Sequence, residues 1–214
     1  MKTVPNEGAP RAASGTDRSE LDRLGMLITI AFERRRLGGA RVAMLPGDEP
    51  PGDCRNLIVD VSEPAMIDEA KNQAPLVQAA FAELTAAGFS SLFPGFDILT
   101  IVDGQIDRMI ELKSSGFDAQ VQEMSWNEWK TARGSFRHNF WLYLVGNLRA
   151  DLQDATPFVR AVQDPFGALE SSEAESTLRK RTMQLRVREF AAADELKIEV
   201  RQSKQLLADQ EDGE

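Results

Sequence analysis

Asp97, Glu111 and Lys113 are the residues whose types and spacing could do chemistry together. Asp97 closes the tripeptide Gly95-Phe-Asp, and thirteen residues separate it from Glu111-Leu-Lys113. Residues two apart on a strand face the same side, so Glu111 and Lys113 project together. Asp103-Gly104 stands between the β-rich runs Phe96–Val102 and Ile106–Leu112. Asp-Gly in that position is a strong hairpin signal, and it places Asp97 on the neighbouring strand. The two carboxylates offer hard oxygen ligands for Mg²⁺ or Mn²⁺, a metal that keeps several waters and takes its remaining ligands from substrate phosphate. Such a metal stabilises charge on a scissile phosphate and activates a bound water. The lysine can position or deprotonate that water, or neutralise developing charge. Asp97, Glu111 and Lys113 are therefore the expected catalytic set, with Asp97 and Glu111 as metal ligands.

The elements that must hold these residues can be read from periodicity. A helix is expected from about Glu20 to Arg36, ended by Gly38-Gly39. Short strands are expected at Arg41–Leu45 and Leu57–Val61, with the Pro/Gly-rich loop 46–53 between them. Helices follow from about Pro64 to Lys71 and from Pro75 to Ala87, the second with proline at its start and Gly88 at its end. After the hairpin come a third strand, Ala119–Met124, a helix opened by Ser125 and running to about Arg133, and the apolar strand Phe140–Val145. From residue 75 the order is α-β-β-β-α-β. The Thr-Pro-Phe and Asp-Pro-Phe-Gly stretches after residue 156 read as loops, and Ser171–Ser176 reads as a polar linker. Alternation at Met183, Leu185 and Val187, and again at Leu196, Ile198 and Val200, predicts a terminal β-hairpin, with a charged helix as the competing reading. The chain divides into an arm at 1–17, a main domain at 18–168 (core 73–168, N-terminal extension 18–72), a linker and hairpin at 169–206, and an acidic tail at 207–214.

The Asp…Glu-x-Lys pattern on a hairpin resembles the signature of the PD-(D/E)xK nuclease superfamily, and the α-β-β-β-α-β order resembles its restriction-endonuclease-like core. Five ordered blocks are more specific. They are Gly95-Phe-Asp-Ile-Leu, Arg108–Gly116, Ser125–Ala132, Phe140–Asn147 and Asp164-Pro-Phe-Gly. Together they resemble the NO VEIN C-terminal domain family over about residues 93–167, with a further likeness in Leu24–Glu33. The resemblance implies an α/β fold with a mixed sheet flanked by helices and a Mg²⁺- or Mn²⁺-dependent nuclease of a bacterial defence or restriction-type system. It implies nucleic acid as partner, DNA ahead of RNA, and a companion ATPase or helicase. The alternative is a non-catalytic module of the same fold that docks such a partner. The resemblance also offers Glu33 as the leading-helix acid that completes the cluster, although about sixty residues and a second helix separate it from Asp97. Glu83, on that second helix, competes for the role.

Asn127-Glu128 matches one family block and offers two site-lining residues. Ser125-x-x-Glu128 is also a capping box, a role compatible with lining. Gln120 or Gln122 could line the site from the third strand. Trp126, Trp129 and Trp141 are expected in the core, and His138 at the surface. Arg34, Arg35 and Arg36, and Arg179, Lys180, Arg181, Arg186 and Arg188, are candidates for phosphate contacts, which need cations but no base reading.

Composition limits the alternatives. The chain has 214 residues, one Cys and one His, which excludes a disulfide framework and a zinc-ribbon site. No apolar run reaches the ~18 residues of a membrane span and no apolar leader opens the sequence, so the expected location is the cytoplasm. The net charge of −9 argues at first against nucleic acid. However, the stretches 47–53, 170–175 and 207–214 contain ten acidic residues and no Lys or Arg, so the remainder stands near +1.

Overall fold

A computed structural model of the chain describes residues 15–43, 55–118, 121–149, 156–169, 171–174, 182–186 and 194–197. Most of the N-terminal arm, the Pro/Gly loop and the acidic tail lie outside the described residues. Helix α1 spans Gly15–Arg36, followed by strands β1 (Arg41–Ala43) and β2 (Leu57–Asp60) and helices α2 (Pro64–Gln73) and α3 (Pro75–Ala86). Next come β3 (Ile98–Val102), β4 (Gln105–Ser114), β5 (Val121–Ser125), α4 (Trp126–Ala132) and β6 (Phe140–Gly146). The described chain ends with β7 (Phe158–Gln163), α5 (Pro165–Ala168), β8 (Ser171–Ala174), β9 (Thr182–Arg186) and β10 (Asp194–Lys197).

The main sheet is mixed and runs β1-β2-β3-β4-β6-β7-β10. Its central strands are apolar on both sides because helices cover both sides. Leu57, Val59, Leu99, Met109, Leu142 and Leu144 face the α2–α3–α4 layer, where Ile67, Val77, Phe81, Leu84 and Trp129 complete one core. The alternate residues Ile58, Ile98, Ile110, Tyr143 and Val145 face α1 through Ile28 and Ile30. This accounts for the unbroken apolar run at 140–145, since a strand buried on both faces shows no polar alternation. Helix α1 approaches β4 closely. A Cβ on Gly25 would stand 2.0 Å from the Ser114 hydroxyl oxygen.

The β3–β4 hairpin turns on Asp103 (φ 50°) and Gly104 (φ 80°), two consecutive left-handed residues as a two-residue turn of this hand requires. Strand β4 is longer than its partner. It pairs with β3 only up to Ile110, but runs parallel to β6 from Met109 to Ser114. Beyond Ile110, no strand of the described residues pairs with that edge of β4.

The third predicted strand forms as β5, but it leaves the main sheet and joins β9 and β8 in a separate three-stranded sheet. The expected terminal hairpin is corrected. Both segments are strands, yet β9 pairs with β5 and β8 while β10 pairs antiparallel with β7. Alternation marks a strand without naming its partner, and the exposed edges of β5 and β7 each take one. The polar stretch at 171–174, read as linker, is β8. The Asp-Pro-Phe-Gly stretch, read as loop, is the short helix α5, capped by the Asp164 side chain.

Candidate functional site

The site lies where β3 and β4 part. At that point β4 would present an unpaired N–H at Leu112. Asp97, one residue before β3, fills the position: the Leu112 N–H donates to Asp97 Oδ2 at 2.8 Å. Gly95 makes the approach possible. It has φ +84°, and a Cβ there would sit 2.5 Å from Thr131 Oγ1. Helix α4 holds this loop from the other side, with Thr131 Oγ1 donating to Pro94 O at 3.0 Å and Asn127 Nδ2 donating to Phe93 O at 3.3 Å.

Glu111 and Lys113 project from the overhanging end of β4. Lys113 Nζ lies 2.6 Å from Glu111 Oε1 and 2.9 Å from Glu128 Oε2. Glu128 is brought there by its helix cap. Ser125 N–H donates to Glu128 Oε2 at 2.8 Å, and Glu128 N–H donates to Ser125 Oγ at 3.3 Å. The capping box is complete, and the same carboxylate that closes it holds the lysine.

These four side chains line one cleft of about 900 Å³. Asp60, at the end of β2, and Asp22, Glu63 and Glu123 line it too, with Arg23 and Lys113 as the cations among the described residues. Asp60 is a site residue that the sequence reading missed. Its signal was an acid closing the apolar run Leu57-Ile-Val, a position that puts it at a strand's end beside Asp97. Ser62 donates to Asp60 Oδ1 through both its N–H, at 3.0 Å, and its hydroxyl, at 2.7 Å.

Burial pushes the Asp97 carboxyl up to about 6, against the pull of the Leu112 N–H and Lys113. Glu111, 3% exposed, is raised well above the ordinary carboxylate range by burial and by the neighbouring Asp97 charge. Burial works against the Lys113 ammonium, but Glu111 and Glu128 outweigh it and hold its pKa above the usual lysine range. Glu128 is also opposed by burial, yet Lys113 and the Ser125 N–H hold it below the usual range.

Among the described residues, no group of three or more His, Cys, Asp or Glu side chains is poised to hold a metal ion. The Asp97–Glu111 pair nevertheless has the chemistry for Mg²⁺: hard oxygens only, from one buried and one half-buried carboxylate on the same cleft. A cation that takes its other ligands from water and phosphate needs no more.

Residues 86–158 match the family described as Protein NO VEIN, C-terminal. No curated protein and no solved structure matches the chain. The matched segment contains Asp97, Glu111, Lys113 and Glu128. Asp60 and residues 24–33 of α1 lie outside it.

Several expected site residues stand elsewhere. Glu33 is not in the cleft. It is fully buried beneath α1, accepting from the Tyr143 hydroxyl at 2.5 Å and from Arg36 Nε at 2.8 Å. Arg108 and Asp107 extend this network, with Arg108 bonded to Tyr143 and Arg36 to Asp107. A carboxylate near the C-terminal end of α1 points at β4 and β6 mid-sheet, whereas the cleft lies against Leu21–Ile30. Glu83 is exposed on α3 and lines no part of the cleft. Asn127 secures the loop before Asp97 and borders a smaller pocket beyond it. Arg36 is committed to Glu33 and Asp107. Arg34 and Arg35 are exposed at the end of α1 away from the cleft-lining residues. Gln120, Arg179, Lys180, Arg181 and Arg188 lie outside the described residues, while Gln122 and Arg186 are placed by backbone alone, on β5 and β9. Trp129 is in the core. Trp126, expected there, is 38% exposed. Trp141 is half-buried under the Arg108 guanidinium, 3.8 Å from its ring centre.

Proposed function

We propose that this chain is a Mg²⁺-dependent nuclease module of a restriction- or defence-type system, hydrolysing phosphodiesters of nucleic acid, DNA ahead of RNA. The observation that carries the reading is the convergence of Asp97, Glu111 and Lys113 on one cleft at the parting of β3 and β4. Asp97 and Glu111 are the residues that would hold the ion. Mg²⁺ bound there supplies charge stabilisation and an acidified water. Lys113 has a narrower role than its residue type allows. Held protonated by Glu111 and Glu128, it is a cation at neutral pH, so it orients water and offsets phosphate charge rather than abstracting a proton. Glu128 and the Ser125 cap position that ammonium. Gly95, Thr131 and Asn127 position Asp97.

The test is cleavage of single- and double-stranded DNA and RNA in Mg²⁺ and in Mn²⁺, with Glu111→Ala and Lys113→Ala as controls. Activity in the wild type, lost in both variants, is the expected result. No metal-dependent cleavage of any substrate, alone or with a companion ATPase or helicase, refutes it. The preponderance of carboxylates over cations in the cleft favours a second reading, a non-catalytic module that docks such a partner. Metal titration separates the two. A metal site gains thermal stability with Mg²⁺ or Mn²⁺ and loses that gain in Asp97→Ala, whereas a purely structural ion-pair network shows no gain.

A further inference from the structure

Helix α4 has two working faces. Its inner face buries Trp129 and Ala132 and sends Glu128 into the cleft. Its outer face carries Trp126 and Lys130 at i and i+4, and the C-cap residue Arg133 follows just past the last turn. Lys130 and Arg133 are exposed, and Trp126 is 38% exposed, an unusual outlay for a large aromatic. Arg133 continues this face onto α5, 5.4 Å from the ring centre of the partly exposed Phe166. The set has no acidic member, in contrast to the cleft on the other side of the same helix.

We infer that this outer face of α4 is a platform for an unpaired nucleic-acid strand: Trp126 stacks a base, Lys130 and Arg133 contact phosphates, and the strand passes from there to Asp97 and Glu111. The inference rests on the nuclease reading for its direction, and three observations support the occupant. The cleft, with seven carboxylates against two cations among the described residues, repels a dense array of phosphates and cannot supply the affinity itself. An exposed aromatic beside cations is the combination that holds single strands, because every base has a stackable face. The platform and the cleft share one seven-residue helix, so a strand bound on one is delivered to the other.

The test measures binding, separately from cleavage. Fluorescence anisotropy of the whole chain with labelled oligo(dT), oligo(U) and a blunt duplex, in EDTA, reads affinity without turnover. Expected are tighter binding of a single strand than of the duplex, and a loss of about 5- to 100-fold in Trp126→Ala. In the double variant Lys130→Ala/Arg133→Ala the slope of log affinity against log salt falls by about 1.4, two phosphate contacts on a single strand. A comparison with oligo(dU), which shares its base with oligo(U), names the sugar. The platform is overturned if the wild type binds no single strand, if it prefers the duplex, or if both variants, folded by circular dichroism, bind as the wild type does. Platform-dependent binding with no metal-dependent cleavage, alone or with a companion ATPase or helicase, supports the platform and refutes the nuclease reading.

Discussion

The substitution Asp97→Asn should stabilise the metal-free protein while abolishing its response to metal. The amide keeps the shape of the side chain and an oxygen to accept the Leu112 N–H, so the cap on the parting strands survives. What it removes is a buried charge. Asp97 is lifted from 3.8 to about 6, and a folded-state pKa raised above the unfolded value means that the native protein binds the proton more tightly. The associated stability is fully present below pH 4 and is lost as the pH rises through 6. Above that the wild type carries the whole cost of the charge, about 3 kcal/mol at the upper limit. The amide carries none, so in EDTA at pH 8 the variant should be the more stable by about 2–3 kcal/mol, roughly 4–12 °C in Tm for a chain of this size. The difference should shrink to nothing towards pH 4. Thermal denaturation of both proteins across pH 4–8, with and without Mg²⁺, gives the answer, since groups distant from Asp97 cancel in the comparison and Glu111, raised in part by the Asp97 charge, adds to the gain in the same direction. A variant no more stable than the wild type at pH 8, or a gap that does not close in acid, would refute the assignment of Asp97 as a carboxylate whose desolvation outweighs the Leu112 N–H and Lys113.

Other substitutions probe the supports of the site. Lys113→Gln leaves Glu111 and Glu128 facing each other and should cost about 3 kcal/mol at pH 8. The loss should shrink as the pH falls, because Glu111, raised above the ordinary carboxylate range, takes up a proton more readily than a free carboxylate, and chemical denaturation across pH 5–8 reads it. Gly95→Ala meets both a left-handed backbone and the Thr131 hydroxyl, and should cost about 2 kcal/mol and weaken Mg²⁺ stabilisation. Glu33→Gln breaks a fully buried ionic network and should destabilise by about 3–5 kcal/mol while leaving the Mg²⁺-induced shift in Tm intact. A lost shift would return Glu33 to the metal site.

The central hairpin was legible because its signals are local. Asp-Gly fixes the turn, and β-rich runs on either side fix the strands, but register counted from that turn would set Ile98 opposite Met109, and only a bulge between Thr100 and Ile101 sets it opposite Ile110 and brings Asp97 level with Glu111. The capping box at Ser125 was legible for the same reason, although its second use, Glu128 on Lys113, depends on where the helix start lands. Residues placed by distant packing were not legible. Glu33 sits in an ordinary amphipathic helix pattern, and which face of α1 it occupies is decided by Tyr143 and Arg108, more than seventy residues away. Asp60 reaches the cleft only because β2 lies beside β3. Strands β9 and β10 show how little alternation says about a partner, since each finds an open edge far from its neighbour in sequence.

The overhang of β4 matters beyond the chemistry placed on it. From Glu111 to Ser114 the strand offers an edge to any chain able to pair with it, the usual starting point of strand-to-strand self-association. Here the edge is guarded by the groups proposed to do the work. The Asp97 carboxylate occupies the Leu112 N–H, and the charges of Glu111 and Lys113 make a further strand expensive to add. The site is thus also a solubility device. Apolar replacements that silence it expose more of that edge, so inactive variants that keep a charge or an amide in the gap should self-associate less than their alanine counterparts.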